Sequence, residues 1–150
     1  KWAEKTKITF GKNVQMGVIA SPNYYSHYSY LEARNSDCVI SIGDNVAINN
    51  AFSTVAFQNI TIQDNVLIGV NCAIIDNDGH ELAIDKRHST EPKSESVMIE
   101  KNVFIGDNVT ILKGVTIGEN SVIGFGSIVT SDIPKNVIAV GNPARVIRNL

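Results

Sequence analysis

An aliphatic residue recurs at every sixth position along much of this chain. The series has no slip after residue 96, and it also runs through parts of the first half. Its members are Ile42, Ile48, Ile62, Ile68, Ile74, Ile99, Ile105, Ile111, Ile117, Ile123 and Val129. Self-similarity at a short fixed period is typical of a solenoid, and a period of six is typical of a β-helix. The period therefore predicts a tube of stacked coils.

Each six-residue unit holds a second apolar or small residue, four positions after the aliphatic residue that begins it. These residues are Val46, Phe52, Val66, Cys72, Val103, Val109, Val115, Ser121 and Ser127. The pair alternates across a short strand, and spacings of four and six do not share one helical face. Gly, Asn and Asp between the pairs, as in Gly106-Asp107-Asn108, tolerate positive φ and suit corners. Each unit is therefore predicted to be one flat side followed by one corner.

Two inserts interrupt the period. The first, about residues 21–35, holds all four tyrosines and His27, and the second, about residues 79–96, is highly charged and holds His80. A two-residue slip occurs near Thr54, and the segment from Ile133 to Arg148 is predicted to cap the tube. The sequence predicts a single all-β domain over residues 1–150, a parallel β-helix with two loop insertions and a short C-terminal cap.

Composition narrows the classes of function. Residues of hydrophobic type make up 43 % of the 150 positions, which is enough to fill the core of one domain. The net charge of −2 comes without a basic cluster, so nucleic-acid binding is not expected. No apolar run reaches membrane-spanning length, and no signal-peptide pattern is present. With only two scattered cysteines, Cys38 and Cys72, a cytoplasmic location is expected.

Four segments carry a resemblance to a known family. They are Val-Phe-Ile-Gly at 103–106, Gly-Val-Thr-Ile-Gly at 114–118, Val-Ile-Gly-Phe-Gly-Ser at 122–127 and Gly-Asn-Pro-Ala-Arg-Val-Ile at 141–147. From about Ile40 to Leu150 the chain resembles the hexapeptide-repeat acyltransferases, in particular the maltose, galactoside and xenobiotic acetyltransferases. The resemblance implies a left-handed β-helix of triangular section. It also implies a homotrimer with active sites between subunits, and acetyl-coenzyme A as the donor.

His80 is the catalytic candidate, because it lies where the family places its catalytic histidine, at the start of the loop. A sugar hydroxyl is a weak nucleophile, and a neutral imidazole can remove its proton as it attacks a thioester carbonyl. The oxyanion would then need nearby donors such as backbone N–H groups. The alternative is a solvated loop histidine without a function.

The resemblance also suggests acceptor-binding residues. Asn49 matches an asparagine that faces the acceptor, although Asn50 beside it leaves the register open, and either residue could simply form a corner. Asp78 and Asp76 could orient the imidazole of His80 or could only complete a turn. Phe104 matches an aromatic residue that shields the site.

Donor-binding residues follow from the same resemblance. Gly106, Asp107, Phe125 and Thr130 match positions near the pantetheine arm. Arg145 and Arg148 match two arginines near the coenzyme's phosphates, where a guanidinium suits phosphate oxygens.

The aromatic cluster of the first insert, Tyr24, Tyr25, His27, Tyr28 and Tyr30, could line an acceptor pocket or could pack the insert against the tube. No metal is expected, because none of the three histidines sits at matching positions on successive coils, as a shared zinc site would require.

The sequence therefore predicts an acetyl-coenzyme A-dependent O-acetyltransferase that acts on a sugar hydroxyl. An N-acetyltransferase on an amino sugar or nucleotide sugar is the first alternative, since it needs the same base. A non-catalytic solenoid that binds partners is the second.

Overall fold

The computed structural model describes residues 7–88 and 91–150, and these fold into three parallel sheets that form the sides of one tube. Face A contains β1 (Lys7–Phe10), β4 (Val39–Ile42), β7 (Asn59–Ile62), β10 (Val97–Ile99) and β13 (Thr116–Ile117). Face B contains β2 (Gln15–Met16), β5 (Ala47–Ile48), β8 (Leu67–Ile68), β11 (Phe104–Ile105), β14 (Val122–Ile123), β16 (Val137–Gly141) and β17 (Ala144–Asn149). Face C contains β3 (Tyr30–Ala33), β6 (Ser53–Ala56), β9 (Ala73–Ile75), β12 (Thr110–Ile111) and β15 (Ile128–Val129).

From β1 to β15, successive strands lie on faces A, B and C in turn, so each coil passes through corners that we call AB, BC and CA. Ile99 pairs with Ile117 one coil later, and Ile111 pairs with Val129 in the same way. The fold is a left-handed parallel β-helix, as predicted. The slip near Thr54 is also confirmed, because Ile40 pairs with Ile60 and that coil is two residues longer than the regular ones.

The core is a set of stacked side-chain columns inside the tube. The isoleucines at 99, 105, 111, 117 and 123 are at most 1 % exposed. The second inward residue of each unit is buried as well, as predicted. Where that residue is serine, its hydroxyl donates to a carbonyl: Ser121 to Pro134 and Ser127 to Gly124, both at 2.6 Å. A small polar residue is therefore tolerated in the column because its hydrogen bond is satisfied.

Corner AB is built around a column of asparagines in the left-handed region. Asn45, Asn65, Asn102, Asn120 and Asn136 have φ between 56° and 64°. Their amides also bond along the tube: Nδ2 of Asn102 donates to Oδ1 of Asn120 at 2.9 Å, and Nδ2 of Asn120 to Oδ1 of Asn136 at 2.8 Å. Asparagine suits both demands, since it adopts positive φ at low cost and carries a donor and an acceptor.

The first insert is shorter than predicted. Tyr30–Ala33 form strand β3, which pairs with Ser53–Ala56, so the insert ends near residue 29 rather than at 35. The error arises because five extra residues separate β3 from the next coil, and the six-residue period is lost on both sides of the strand. The second insert matches its prediction, since β9 ends at Ile75 and β10 begins at Val97.

The C-terminal segment forms the predicted cap. Strand β16 continues face B in parallel with β14, and β17 turns back antiparallel to β16 and becomes the last strand of that sheet. Ala139 and Ala144 are buried beneath this hairpin. In the part of the chain that the structure describes, no helix has the length and apolar character needed to span a membrane.

Shortening a residue in the isoleucine column should be costly. The backbone bonds between coils fix the width of the tube, so the walls cannot close over a cavity. We expect Ile111→Ala to lower the free energy of unfolding by about 2–5 kcal/mol in urea denaturation. Glu119→Ala, at an exposed corner, is the control and should stay within about 0.5 kcal/mol. Equal losses in both variants would contradict this description of the core.

Candidate active site

The loop that carries His80 leaves the tube at corner CA of the third coil and returns to the same corner. Its two limbs pair at the base: the N–H of Asp78 donates to the carbonyl of Lys93 at 3.1 Å, and that of Glu95 to the carbonyl of Asp76 at 2.8 Å. Asn77 and Ser94 form an antiparallel bridge between these bonds. His80 therefore lies two residues beyond Asp78, at the end of a loop stem whose geometry is fixed by these bonds.

The imidazole of His80 is exposed, and neither of its nitrogens is hydrogen-bonded to any residue in the ranges 7–88 and 91–150. In a neutral imidazole one ring nitrogen carries a proton and the other carries a lone pair. The second nitrogen can therefore accept a proton from a substrate that reaches it.

Asp76 completes a corner. Its side chain is fully buried, and its two oxygens accept the N–H groups of Phe57 at 2.8 Å and Gln58 at 2.7 Å. These are residues of the two-residue slip in the preceding coil. The sequence left two roles open for Asp76, orienting the imidazole of His80 or completing a turn. These bonds show that it completes the turn.

Asp78 is held by a lysine. Its Oδ2 lies 3.4 Å from Nζ of Lys113, and the same ammonium lies 3.1 Å from Oε1 of Glu95 on the returning limb. The hydrogen bond to Glu95, helped by Asp78, raises the pKa of Lys113, so the ammonium stays charged. Lys113 thus joins both limbs of the loop. The sequence did not single it out, although it occupies corner CA one coil after the loop.

A groove on face B brings together Asn49 and Phe104, two of the predicted acceptor residues. It encloses about 250 Å³, and Val18, Leu67 and Asp107 also line it. Phe104 is 47 % exposed, with Leu67 and Val122 beside it on the neighbouring strands. The groove is mainly apolar and carries an amide at one end.

The structure separates the roles of Asn49 and Asn50. Asn50 is buried, and its Nδ2 donates to the carbonyls of Val18 at 2.9 Å and Pro22 at 2.8 Å. Its Oδ1 accepts the N–H of Val18 at 2.9 Å. Asn49 is partly exposed and donates to Oγ of Ser21 at 3.0 Å. Asn50 therefore clamps the first insert, while Asn49 faces the groove.

Three predicted donor residues lie at corner BC. Oδ1 of Asp107 accepts the N–H of Val70 at 2.8 Å, so this carboxylate holds the preceding coil. A Cβ on Gly106 would lie 3.0 Å from the backbone nitrogen of Phe125, so the coils approach closely only because a glycine is present. Phe125 itself is 72 % exposed. Contact with pantetheine remains a prediction for all three.

The buried thiol of Cys72 lies beside the same corner. It donates to the carbonyl of Gly106 at 3.1 Å, and burial raises its pKa to about 11. The thiol stays protonated at neutral pH, and a protonated thiol is a poor nucleophile. Cys72 therefore does not compete for an acyl group.

The remaining donor candidates lie apart from one another. Arg145 and Arg148 are exposed on β17, opposite Val140 and Ile138, and no carboxylate in the described part of the chain pairs with either guanidinium. Thr130 lies at corner CA of the fifth coil, on the side of the tube that carries His80. The two arginines are thus available for phosphate, as their predicted role requires.

One chain does not bring all predicted site residues together. His80 and Thr130 lie at corner CA, whereas Asn49, Gly106 and Phe125 lie at corner BC, and the whole of face C separates the two corners. His80 therefore does not meet the face B groove of the same chain. Within residues 7–88 and 91–150, no three His, Cys, Asp or Glu side chains are grouped so that they could hold a metal ion.

Comparison with known proteins agrees with this architecture. The family model described as bacterial transferase hexapeptide (six repeats) matches residues 96–131. A hexapeptide-repeat-containing acetyltransferase of Vibrio cholerae, solved with acetyl-coenzyme A, is 30 % identical with a TM-score of 0.71, and the match covers 93 % of this chain and 72 % of that one. This chain belongs to the hexapeptide-repeat acetyltransferase family.

Galactoside acetyltransferases are similar members of the family. The galactoside O-acetyltransferase of Escherichia coli (strain K12) is 42 % identical over 142 residues, which are 95 % of this chain and 64 % of that protein. A galactoside acetyltransferase solved with coenzyme A is 39 % identical with a TM-score of 0.74, covering 95 % of this chain and 65 % of that one. The chain thus spans less than two thirds of the length of these two relatives.

The corner role of Asp76 can be tested by stability. Asp76→Ala leaves two backbone N–H groups without their acceptor, and we expect it to lower the free energy of unfolding by about 1–3 kcal/mol. Asp85→Ala, an exposed carboxylate in the same loop, is the matched control and should change it by less than about 0.5 kcal/mol. Urea denaturation measures both, and an unchanged midpoint for Asp76→Ala would contradict the assignment.

Proposed function

We propose that this chain is an acetyl-coenzyme A-dependent O-acetyltransferase that transfers an acetyl group to a hydroxyl of a sugar or saccharide. The observation that carries the proposal is His80, an exposed imidazole that bonds to no residue in the described part of the chain. It lies on a loop whose stem is fixed by backbone pairing and by Lys113. Membership in the acetyltransferase family supports it, as does similarity to galactoside O-acetyltransferases.

The reaction needs one base and no covalent acyl-enzyme. A neutral His80 ring nitrogen takes the proton of the acceptor hydroxyl while the oxygen forms a bond to the thioester carbonyl carbon. The tetrahedral intermediate then collapses, and the carbon–sulfur bond breaks. The proton held by the imidazole passes to the departing sulfur, so that free coenzyme A thiol and the acetylated sugar are released.

We propose a homotrimer in which His80 of one subunit faces the face B groove of the next. Two observations support it: the separation of His80 from Asn49 within one chain, and the apolar outer surface of face B. Leu67 is 49 % and Phe104 is 47 % exposed there, and Val122 and Ile138 continue the same column. Such a column is typical of a surface that another chain covers.

The donor is proposed to lie along corner BC, with Gly106, Asp107 and Phe125 beside the pantetheine arm and Thr130 supplied across the interface. Arg145 and Arg148 would bind its phosphates, since neither guanidinium forms an ion pair in the described part of the chain. Asp78 would help to hold the acceptor near His80. The unpaired cysteines, Cys38 and Cys72, support a reducing, cytoplasmic setting.

Removal of the base should abolish most of the activity. We expect His80→Ala to reduce turnover by roughly 10²–10⁴-fold without loss of fold, measured by release of coenzyme A thiol and by circular dichroism. His88→Ala, an exposed histidine in the same loop, is the control and should retain the parent rate. Turnover of His80→Ala within about threefold of the parent would remove this residue from the mechanism. A panel of hydroxyl and amine acceptors decides between O- and N-transfer.

A site shared between subunits predicts complementation. His80→Ala and Asn49→Ala should each be impaired alone, yet trimers formed by co-refolding the two should regain activity. In such trimers some interfaces combine His80 from one chain with Asn49 from the other. Trimers refolded from His80→Ala alone are the control. Mixed trimers whose activity does not exceed that of either variant alone would contradict a shared site.

A further inference from the structure

The first insert encloses a cavity that is separate from the face B groove. It has a volume of about 450 Å³ and lies on the face C side of corner BC. One wall comes from the insert and from β3, and the other from the second and third coils. Its principal lining residues are His27, Tyr28, Tyr30, Ala51, Ser53 and Asn71.

The wall formed by the insert is held in place. Asn50 bonds to three carbonyls of the insert, those of Val18, Ser21 and Pro22. Tyr24 packs beside Gly17 and meets the ring of Tyr25 edge-on, with ring centroids 4.9 Å apart. The tyrosines thus divide their roles: Tyr24 packs the insert, and Tyr28 and Tyr30 line the cavity. A cavity with walls fixed in this way is already formed before a ligand binds.

The lining combines aromatic rings with uncharged polar groups. Tyr28 is 80 % and Tyr30 43 % exposed. Asn71 uses its Nδ2 for a bond to Asn108 at 2.8 Å, which leaves its Oδ1 as an acceptor, and Ser53 adds a hydroxyl. Nδ1 of His27 is bonded to Oγ of Ser26 at 2.8 Å, so Nε2 is the nitrogen that remains for a ligand.

No Asp, Glu, Lys or Arg lines this cavity in the described part of the chain. Tyr30, one of the lining residues, contacts Glu32, and Glu32 forms an ion pair of 2.6 Å with Arg34. The hydroxyl of Tyr30 donates to Glu32 at 2.8 Å, and this bond raises the pKa of Tyr30, so the phenol stays neutral. A phosphate or carboxylate would find no lysine or arginine among these lining residues, whereas sugar hydroxyl groups would find hydrogen-bond partners and the apolar face of a sugar ring would find aromatic rings.

We propose that this cavity is a subsite for a neutral saccharide unit, and that the acceptor is therefore an oligosaccharide or glycan rather than a single sugar. The proposal rests on the proposed function. Asn49 of the groove and Ala51 of the cavity are two residues apart, so their Cα atoms lie within about 7 Å. The reacting sugar would occupy the groove beside Asn49, and the neighbouring unit would extend around the corner onto Tyr28 and Tyr30.

The kinetic test compares acceptors of different length. We expect kcat/KM for maltotriose or a galactose trisaccharide to exceed that for glucose or galactose by at least about tenfold. Tyr28→Ala should remove this advantage through KM, leaving the monosaccharide rate within about twofold, while Tyr28→Phe, which keeps the ring, should retain it. Tyr25→Ala is the matched control: this tyrosine is 88 % exposed in the same insert and does not line the cavity.

A binding test without acetyl-coenzyme A separates this proposal from the proposed function. Saturation-transfer NMR should show that the trisaccharide binds the parent protein and does not bind Tyr28→Ala. A nucleoside diphosphate should not displace the bound trisaccharide. If this holds but no sugar is acetylated, the saccharide subsite stands, whereas the proposed function and the assignment of the acceptor fall. If monosaccharides are acetylated while Tyr28→Ala changes neither binding nor the trisaccharide rate, the subsite falls and the function stands. Displacement of the trisaccharide by the nucleotide would also overturn the subsite.

Discussion

The fixed width of the tube is the constraint on which the rest of this structure depends. Each coil bonds through its backbone to the coils above and below, and each face leaves room inside for a column of isoleucine and valine side chains. Every residue that serves a site must therefore leave from a corner or project outward from a face. The two inserts leave from corners: the charged loop with His80 from CA, and the clamped aromatic insert from BC.

Much of this fold could be predicted, because the residues that repeat the period of six are the ones that must be buried in the core of each coil. Ile99 to Val129 obey the period without exception, and all of these inward positions are buried. The prediction was wrong for β3, where the extra residues on both sides removed the periodic signal although the strand still pairs with β6. Local pattern finds strands only where the coils are regular, since elsewhere pairing with the next coil determines the strand.

The site was harder to predict, because its contacts cross between coils. Nothing near Asp76 in the sequence shows that its carboxylate holds Phe57 and Gln58, or that Lys113 joins both limbs of the His80 loop. Likewise, Asn49 and Asn50 look equivalent in sequence, and only the path of the insert shows which one is the clamp. The separation of His80 from Asn49 follows from the face order, and it makes assembly a condition of activity in this account.

If the active site forms between subunits around His80, a crystal structure with coenzyme A and a saccharide acceptor will show it. We expect a threefold assembly with the ring of His80 from one subunit within hydrogen-bond reach, about 2.6–3.2 Å, of the acceptor hydroxyl. The sulfur of the coenzyme should lie beside that hydroxyl, and Asn49 of the adjacent subunit should contact the acceptor. Coenzyme and sugar bound within one subunit, away from His80, would contradict the account.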